Sequence, residues 1–154
     1  MSITVAPVGN SRILSVGTYR PKRVVPNSEI VDRIDSTDEW IVQRTGIESR
    51  RFAGDDETVI SMAKAACEIA LKRAKLTIAD IDTVILSTIS YPFQAPSAAT
   101  ELINELGNPK AAAFDISAAC AGFCYGVAMG SDLVRSGTSK NVLVIGVEKL
   151  SDYT

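Results

Sequence analysis

The chain contains no histidine. That excludes every Ser–His or Cys–His mechanism confined to its own residues, and every histidine metal site. Cysteine is scarce, with only Cys67, Cys120 and Cys124. An odd count at this spacing fits neither a disulfide framework nor a zinc site. Cys120 and Cys124 would share a helix face, but two thiolates without a histidine are a poor metal site, so no metal is expected. Neither charge dominates: 16 Lys and Arg oppose 18 Asp and Glu, for a net charge of −2. Without a basic field, no nucleic-acid partner is expected. No apolar run approaches the roughly 18 residues of a membrane span, so no membrane association is expected. The opening MSITVAPVGNSRILSVG lacks a charged start followed by a long apolar stretch, which points to a cytoplasmic protein rather than a secreted one. Neither a Gly-x-Gly-x-x-Gly nor a P-loop pattern occurs, which removes the support for a generic nucleotide-binding domain.

What is present is an ordinary globular composition, 46% hydrophobic and 22% charged over 154 residues. A domain of this length typically buries roughly 68–70% of its unfolded surface. No internal repeat or low-complexity linker interrupts it. ILSVGTYRPKRVV reads as a short strand followed by a turn around Pro21. Asn27 or Ser28 is placed to cap a short helix, SEIVDRI. Ser36 opens S-T-D-E, a capping box with Glu39, for a helix that ends near Gly46. GIESRRFAGDDE reads as a loop. Asp56 is placed to cap a long helix whose apolar stripe is Val59, Met62, Ala63, Ala66 and Ala70.

TVILSTI at 83–89 is a continuous β-branched run, as expected of a strand buried on both faces. A helix near 97–106, stopped by Gly107, precedes a strand at 111–117. CAGFCYGVAMGSDLVRSG is the next helix, ended by Gly137, and NVLVIGVE at 141–148 is another buried strand. This alternation predicts an α/β fold with a largely parallel sheet. The helix after Cys120 has no polar stripe over its first three turns, which predicts burial on all sides between two sheets. Its glycines, each costing roughly 0.8–1 kcal/mol against alanine, make sense where layers approach closely.

Cys120 falls where a strand ends and this helix begins. Helix-start N–H groups are unpaired, and the partial positive charge there favours a thiolate. The same groups are placed to stabilise an oxyanion formed when the thiolate attacks a thioester. Ala118, Ala119, Ala121 and Gly122 are small enough to admit a substrate, the logic of a nucleophile elbow. The competing reading is a packed filler, the usual fate of a free cysteine. For Cys67, in mid-helix, and Cys124, one turn into the buried helix, the filler reading is preferred.

DISAACAGFCYG resembles the active-site segment of β-ketoacyl-acyl carrier protein synthase III, a thiolase-superfamily family. The likeness extends to GTYRPKRVVPNSEI, STDEWIVQRTGIESRRFA, ETVISMAKAACEIAL, ADIDTVILSTISYPFQAPSAAT and NVLVIGVEKLS, in the family's order. It implies a thiolase-like layered α/β/α/β/α fold, of which residues 1–154 are the first βαβαβ half, and a homodimer. It implies that Cys120 is acylated by an acyl-CoA primer, after which malonyl-acyl carrier protein is decarboxylated and condensed. Coenzyme A thioester is then a substrate and no cofactor is expected. Trp40 and Arg44 match residues that hold coenzyme A in the family. Four apart on a helix they share a face, where an indole stacks on adenine and a guanidinium grips phosphate. Ser36 matches a small hydroxyl position near the adenine. Ala95 stands where some members carry a bulky aromatic that closes the acyl pocket, which implies a roomier pocket, although Phe93 is near enough in sequence to fill it.

The family's catalytic histidine and asparagine, and a glycine completing its oxyanion hole, belong to its second half and are absent here. The chain is therefore expected to be the N-terminal half of a longer or cleaved protein, and to aggregate alone. Other readings are a priming ketosynthase or acyltransferase of polyketide synthesis, and a hydroxymethylglutaryl-CoA synthase, which fits the DEWI segment less well. A non-catalytic thiolase-fold subunit, with Cys120 as packing, is the third.

Overall fold

The computed structural model describes residues 9–153. The start of the segment read as lacking a secretory leader lies outside them. The chain forms two compact units, one from residues 9–19 and 59–149, the other from residues 20–58 and 150–153. No helix among the described residues is long and apolar enough to cross a membrane.

The smaller unit is a hairpin with a helix. Strands β1 (Arg23–Pro26) and β2 (Ser49–Phe52) pair antiparallel, with Val25 opposite Arg50. Two 3-10 turns (Asn27–Glu29 and Val31–Arg33) follow β1, and helix α1 (Asp38–Thr45) precedes β2. Three expectations are corrected here. The stretch 13–20 forms no strand, and the strand begins after Pro21, at Arg23. The segment SEIVDRI forms 3-10 turns without a side-chain cap instead of a helix. The expected loop 46–57 contains β2, whose four residues are too few to display a strand's alternation.

The larger unit is built on a three-stranded parallel sheet in the order β4-β3-β5, with β3 Thr83–Ser87, β4 Ala112–Ile116 and β5 Val142–Gly146. The helices are α2 (Val59–Ala74), α3 (Ala98–Leu106) and α4 (Gly122–Arg135). The chain steps from β3 to β4 on one side, then returns past β3 to β5 on the other. Right-handed crossovers in opposite directions put their helices on opposite faces. The side chains agree. Val84, Leu86 and Ile145 face α2 and α3, in one core with Ala63, Cys67, Leu71, Ala98, Leu102 and Ile103. The alternate residues Ile85, Ser87 and Val144 face α4.

Strand β3 is buried at every position, as the β-branched run predicts. Burying each of Val84, Ile85 and Leu86 contributes about 1.5–3 kcal/mol, so β3 anchors the unit. Helix α3 starts from the Ser97 cap and stops at Gly107, whose φ of +90° suits glycine. Helix α2 begins at Val59, three residues beyond the Asp56 expected to cap it. Its buried stripe is Val59, Ile60, Met62, Ala63, Cys67 and Leu71, with Ala66 and Ala70 only half-buried. Ser15 Oγ donates to the Ala70 carbonyl at 2.7 Å, so residues before β1 run along that flank.

Helix α4 meets the sheet through its glycines. A Cβ on Gly126 would lie 2.9 Å from Val144 Cγ1, closer than side chains pack. Only that face is sealed: Phe123, Tyr125 and Met129 are 42 to 57% exposed. The expectation of burial on all sides is therefore corrected. The sequence shows an apolar circumference, but among the described residues only one sheet covers it.

Candidate active site

In a parallel sheet, ligands gather beyond the carboxyl ends of strands, where successive crossover helices leave on opposite faces. Here that place lies between β3, followed by α3, and β4, followed by α4. The loop after β3 carries Phe93 and Ala95; the turn after β4 carries Cys120.

The turn is built tightly. Residues Ala119–Ala121 form a 3-10 turn leading directly into α4. Ala119 has φ +45°, a left-handed conformation rare for a residue with a Cβ. Gly122 follows, and a Cβ there would lie 1.8 Å from Ser87 Oγ, so the turn sits directly on the end of β3. Cys120 is exposed at its tip. The expectation of several free helix-start N–H groups is corrected in part. Ala121 N–H donates to the Ala118 carbonyl at 3.1 Å, and Gly122 N–H donates to the Ala119 carbonyl. The tighter turn satisfies these two donors, while Cys120 N–H makes no backbone hydrogen bond among the described residues.

The other cysteines differ. Cys67 is buried in the α2 stripe, and burial, with the neighbouring Glu68 carboxylate, pushes its thiol up to about 12. That fits the filler reading. Cys124, read as filler too, is exposed on the uncovered side of α4.

Two acidic residues fix the neighbouring loop, and sequence reasoning missed both. Asp115, on β4, accepts from Ala98 N–H through Oδ2 and from Ala99 N–H through Oδ1, each at 2.8 Å. It thereby caps α3 from 16 and 17 residues away in sequence, too far for any local capping pattern to reveal. Glu148, after β5, accepts from Ile89 N–H at 3.0 Å, from Thr88 Oγ1 at 3.3 Å and from Ser90 Oγ. Tyr91 hydroxyl bonds the Glu101 carboxylate; desolvation and then that acceptor push the phenol up to about 12. The Tyr91 and Phe93 rings meet edge to face at 5.7 Å. Phe93 and Ala95 are both exposed, and the Ala95–Pro96 peptide is cis.

In the smaller unit, α1 brings Trp40 and Arg44 together as the four-residue spacing predicts. The Arg44 guanidinium lies 5.5 Å from the centre of the Trp40 ring. Trp40 is 53% exposed, so it is no core anchor. Arg44 has no ion-pair partner among the described residues. A groove of about 750 Å³ runs beside Pro26, Asn27, Asp38, Val42 and Glu48, but neither Trp40 nor Arg44 lines it. The role of Ser36 is corrected: Thr37 is the cap, accepting from Trp40 N–H at 3.2 Å. With helix start displaced by one residue, Ser36 Oγ is left buried without a hydrogen-bond partner.

Comparison with known proteins identifies this arrangement. Residues 114–154 match the family model of 3-oxoacyl-[acyl-carrier-protein] synthase III. β-Ketoacyl-[acyl-carrier-protein] synthase III of Kocuria rhizophila is 53% identical over 146 residues, covering 95% of this chain and 41% of that protein. The mycobacterial β-ketoacyl-[acyl-carrier-protein] synthase III of Mycobacterium bovis is 52% identical over 139 residues, 90% of this chain and 42% of that protein. Among solved structures, the priming β-ketosynthase of a polyketide biosynthetic pathway superimposes with TM-score 0.92 at 45% identity, over 99% of this chain and 46% of that one. The Aquifex aeolicus 3-oxoacyl-[acyl-carrier-protein] synthase III gives 0.87 at 43% identity, over 94% and 46%. The chain thus spans under half the length of the relatives it matches, and its fold is the first half of their thiolase-like α/β architecture. It belongs, as an N-terminal portion, to the β-ketoacyl-[acyl-carrier-protein] synthase III family.

Proposed function

We propose that this chain supplies the nucleophile and part of the coenzyme A site of a decarboxylating condensing enzyme that initiates fatty-acid synthesis. The observation that carries the reading is the place of Cys120: exposed, at the tip of a turn, one residue after a left-handed alanine and at the head of α4. Non-glycine residues held in such backbone conformations cluster at active sites.

In the proposed reaction the Cys120 thiolate attacks the carbonyl of an acyl-CoA. The tetrahedral oxyanion is met by Cys120 N–H and by a donor from the remainder of the protein. It collapses to an acyl-cysteine, and the coenzyme A thiolate leaves and takes up a proton. Malonyl-acyl carrier protein then loses carbon dioxide. Its carbanion attacks the acyl-cysteine, forming a carbon–carbon bond and expelling the Cys120 thiolate. The histidine and asparagine that the family uses for decarboxylation come from its second half, so the activity belongs to the complete protein, acting as a cytoplasmic homodimer.

Trp40, Arg44 and Ser36 contact the coenzyme A in this reading. The half-exposed indole and a guanidinium with no ion-pair partner among the described residues support it for Trp40 and Arg44, while Ser36 rests on its match to the family alone. Ala95 leaves the acyl pocket open, so primers longer or more branched than acetyl are accepted. The 0.92 TM-score to a polyketide priming ketosynthase favours, as a second reading, priming of polyketide synthesis on the same chemistry.

The test is condensation of radiolabelled acyl-CoA with malonyl-acyl carrier protein by the full-length protein. Formation of a β-ketoacyl product, lost in Cys120→Ser, supports the reading. A Cys120→Ser variant as active as wild type refutes it. A primer series with Ala95→Phe tests the pocket: preference should shift to acetyl, and an unchanged preference removes Ala95 from the pocket.

A further inference from the structure

Asn27 is 1% exposed, yet it is polar, and every polar group of its side chain is engaged. Its Nδ2 donates to Asp38 Oδ1 at 2.6 Å and to the Ile47 carbonyl at 2.8 Å. Its Oδ1 accepts from Arg50 Nη2. Its backbone N–H donates to the Glu48 carbonyl at 3.2 Å, and Arg50 Nη1 reaches the Val25 carbonyl at 3.3 Å. Asp38 is the first residue of α1, Ile47 follows the Gly46 that ends it, and Arg50 lies on β2. One buried amide therefore grips α1 at both ends and ties it to the hairpin.

Trp40 and Arg44 sit between those two grips. A helix of eight residues is only about 12 Å long, so holding both ends fixes its rotation about its own axis and hence the direction of the Trp40–Arg44 face. Only an amide meets this demand. It offers two donors and an acceptor together, whereas a carboxylate offers no donor and an aliphatic group offers neither. We propose that Asn27 is a positioning residue for coenzyme A binding: it contacts no substrate and acts by orienting the Trp40–Arg44 face of α1. The inference rests on the reading of Trp40 and Arg44 as coenzyme A contacts.

The exchange of partners separates positioning from simple support of the fold. Asn27→Asp sets two carboxylates against each other, while Asn27→Asp combined with Asp38→Asn restores a donor–acceptor pair with the groups interchanged. Coenzyme A dissociation constants would be measured by calorimetry on the full-length protein, well below each variant's melting temperature, alongside Trp40→Ala. The expected result is binding weakened on the order of tenfold in Asn27→Asp, a loss of about 1.4 kcal/mol. The rate at saturating acyl-CoA is expected to hold, because Cys120 is untouched, and the double exchange is expected to recover much of the affinity. If Trp40→Ala weakens binding while folded Asn27→Asp binds like wild type, the positioning role is overturned and the coenzyme A reading stands. If Trp40→Ala binds like wild type, the coenzyme A reading itself falls, and the inference with it. Should Asn27→Asp fail to fold, Asp38→Ala removes one of the same bonds at an exposed residue. Weakened coenzyme A binding with an unchanged saturated rate supports the role there too, and unaltered binding overturns it.

Discussion

Gly122 rests directly on Ser87: a Cβ added to the glycine would lie 1.8 Å from the serine hydroxyl and 3.0 Å from its Cβ. This contact sets the height of the Cys120 turn above the sheet. Gly122→Ala is expected to destabilise the protein by about 1–3 kcal/mol, as overpacking does, and to slow acylation of Cys120. Adding Ser87→Gly removes the obstructing group and is expected to recover both. Thermal melts and single-turnover acylation of the two variants check this; an undiminished Gly122→Ala variant would mean that the turn is free to rise.

Ala119 makes the opposite kind of prediction. Its φ of +45° is unfavourable for alanine and free of penalty for glycine. Ala119→Gly is expected to raise stability by about 1 kcal/mol, the steric cost of the left-handed region, while loosening the residue before Cys120 and slowing acylation. A destabilised variant in denaturant titration contradicts the geometry of this turn.

Asp115 holds the loop between β3 and α3 by capping α3 from the neighbouring strand. Removing it strands two N–H donors, at about 1–3 kcal/mol for a buried unsatisfied group. Asp115→Ala is expected to lower the melting temperature and blur primer selectivity, since the loop that carries Phe93 and Ala95 ends at that cap. Retained selectivity in a folded variant would separate the loop from the cap.

Thr37 and Ser36 are expected to behave oppositely. Thr37→Ala removes the cap of α1 and costs about 1 kcal/mol. Ser36→Ala removes a hydroxyl that bonds nothing among the described residues, so stability should hold while coenzyme A affinity falls. Melting curves paired with binding titrations distinguish the two; the reverse pattern would make Ser36 the cap after all.

How much of this was legible follows physical range. The parallel sheet was legible because Val84, Ile85 and Leu86 make an uninterrupted apolar run with no alternation, and burial from both faces demands that. The Trp40–Arg44 pair was legible because helix spacing is local. The cap was misplaced by one residue because Ser36 and Thr37 are chemically alike, and only backbone geometry chooses between them. The caps by Asp115 and the grip of Asn27 were not legible, since each joins residues far apart in sequence. Helix α4 reads as buried all round because apolar composition does not say which of its faces is covered; among the described residues one sheet covers one face.

Cys67 sets a pH limit. Below about pH 9 its thiol is protonated in both folded and unfolded chains. Above that the unfolded chain ionises while the folded protein, with its thiol pushed up to about 12, does not. Its contribution to stability is therefore whole below pH 9 and is lost progressively between 9 and 12. Cys67→Ala is expected to flatten that alkaline loss in urea titrations, at the cost of a core cavity; an unchanged slope would place the loss elsewhere.

The most direct measurement is acylation of the full-length protein by acetyl-, isobutyryl- and longer acyl-CoAs without malonyl-acyl carrier protein, followed by peptide mass spectrometry. The account predicts one acyl group, mapped to Cys120 and absent from buried Cys67 and from Cys124, although Cys124 is exposed in this chain. The adduct should vanish in Cys120→Ser. An unmodified folded protein, or an adduct on Cys124 that survives Cys120→Ser, would contradict the assignment of Cys120 as the nucleophile.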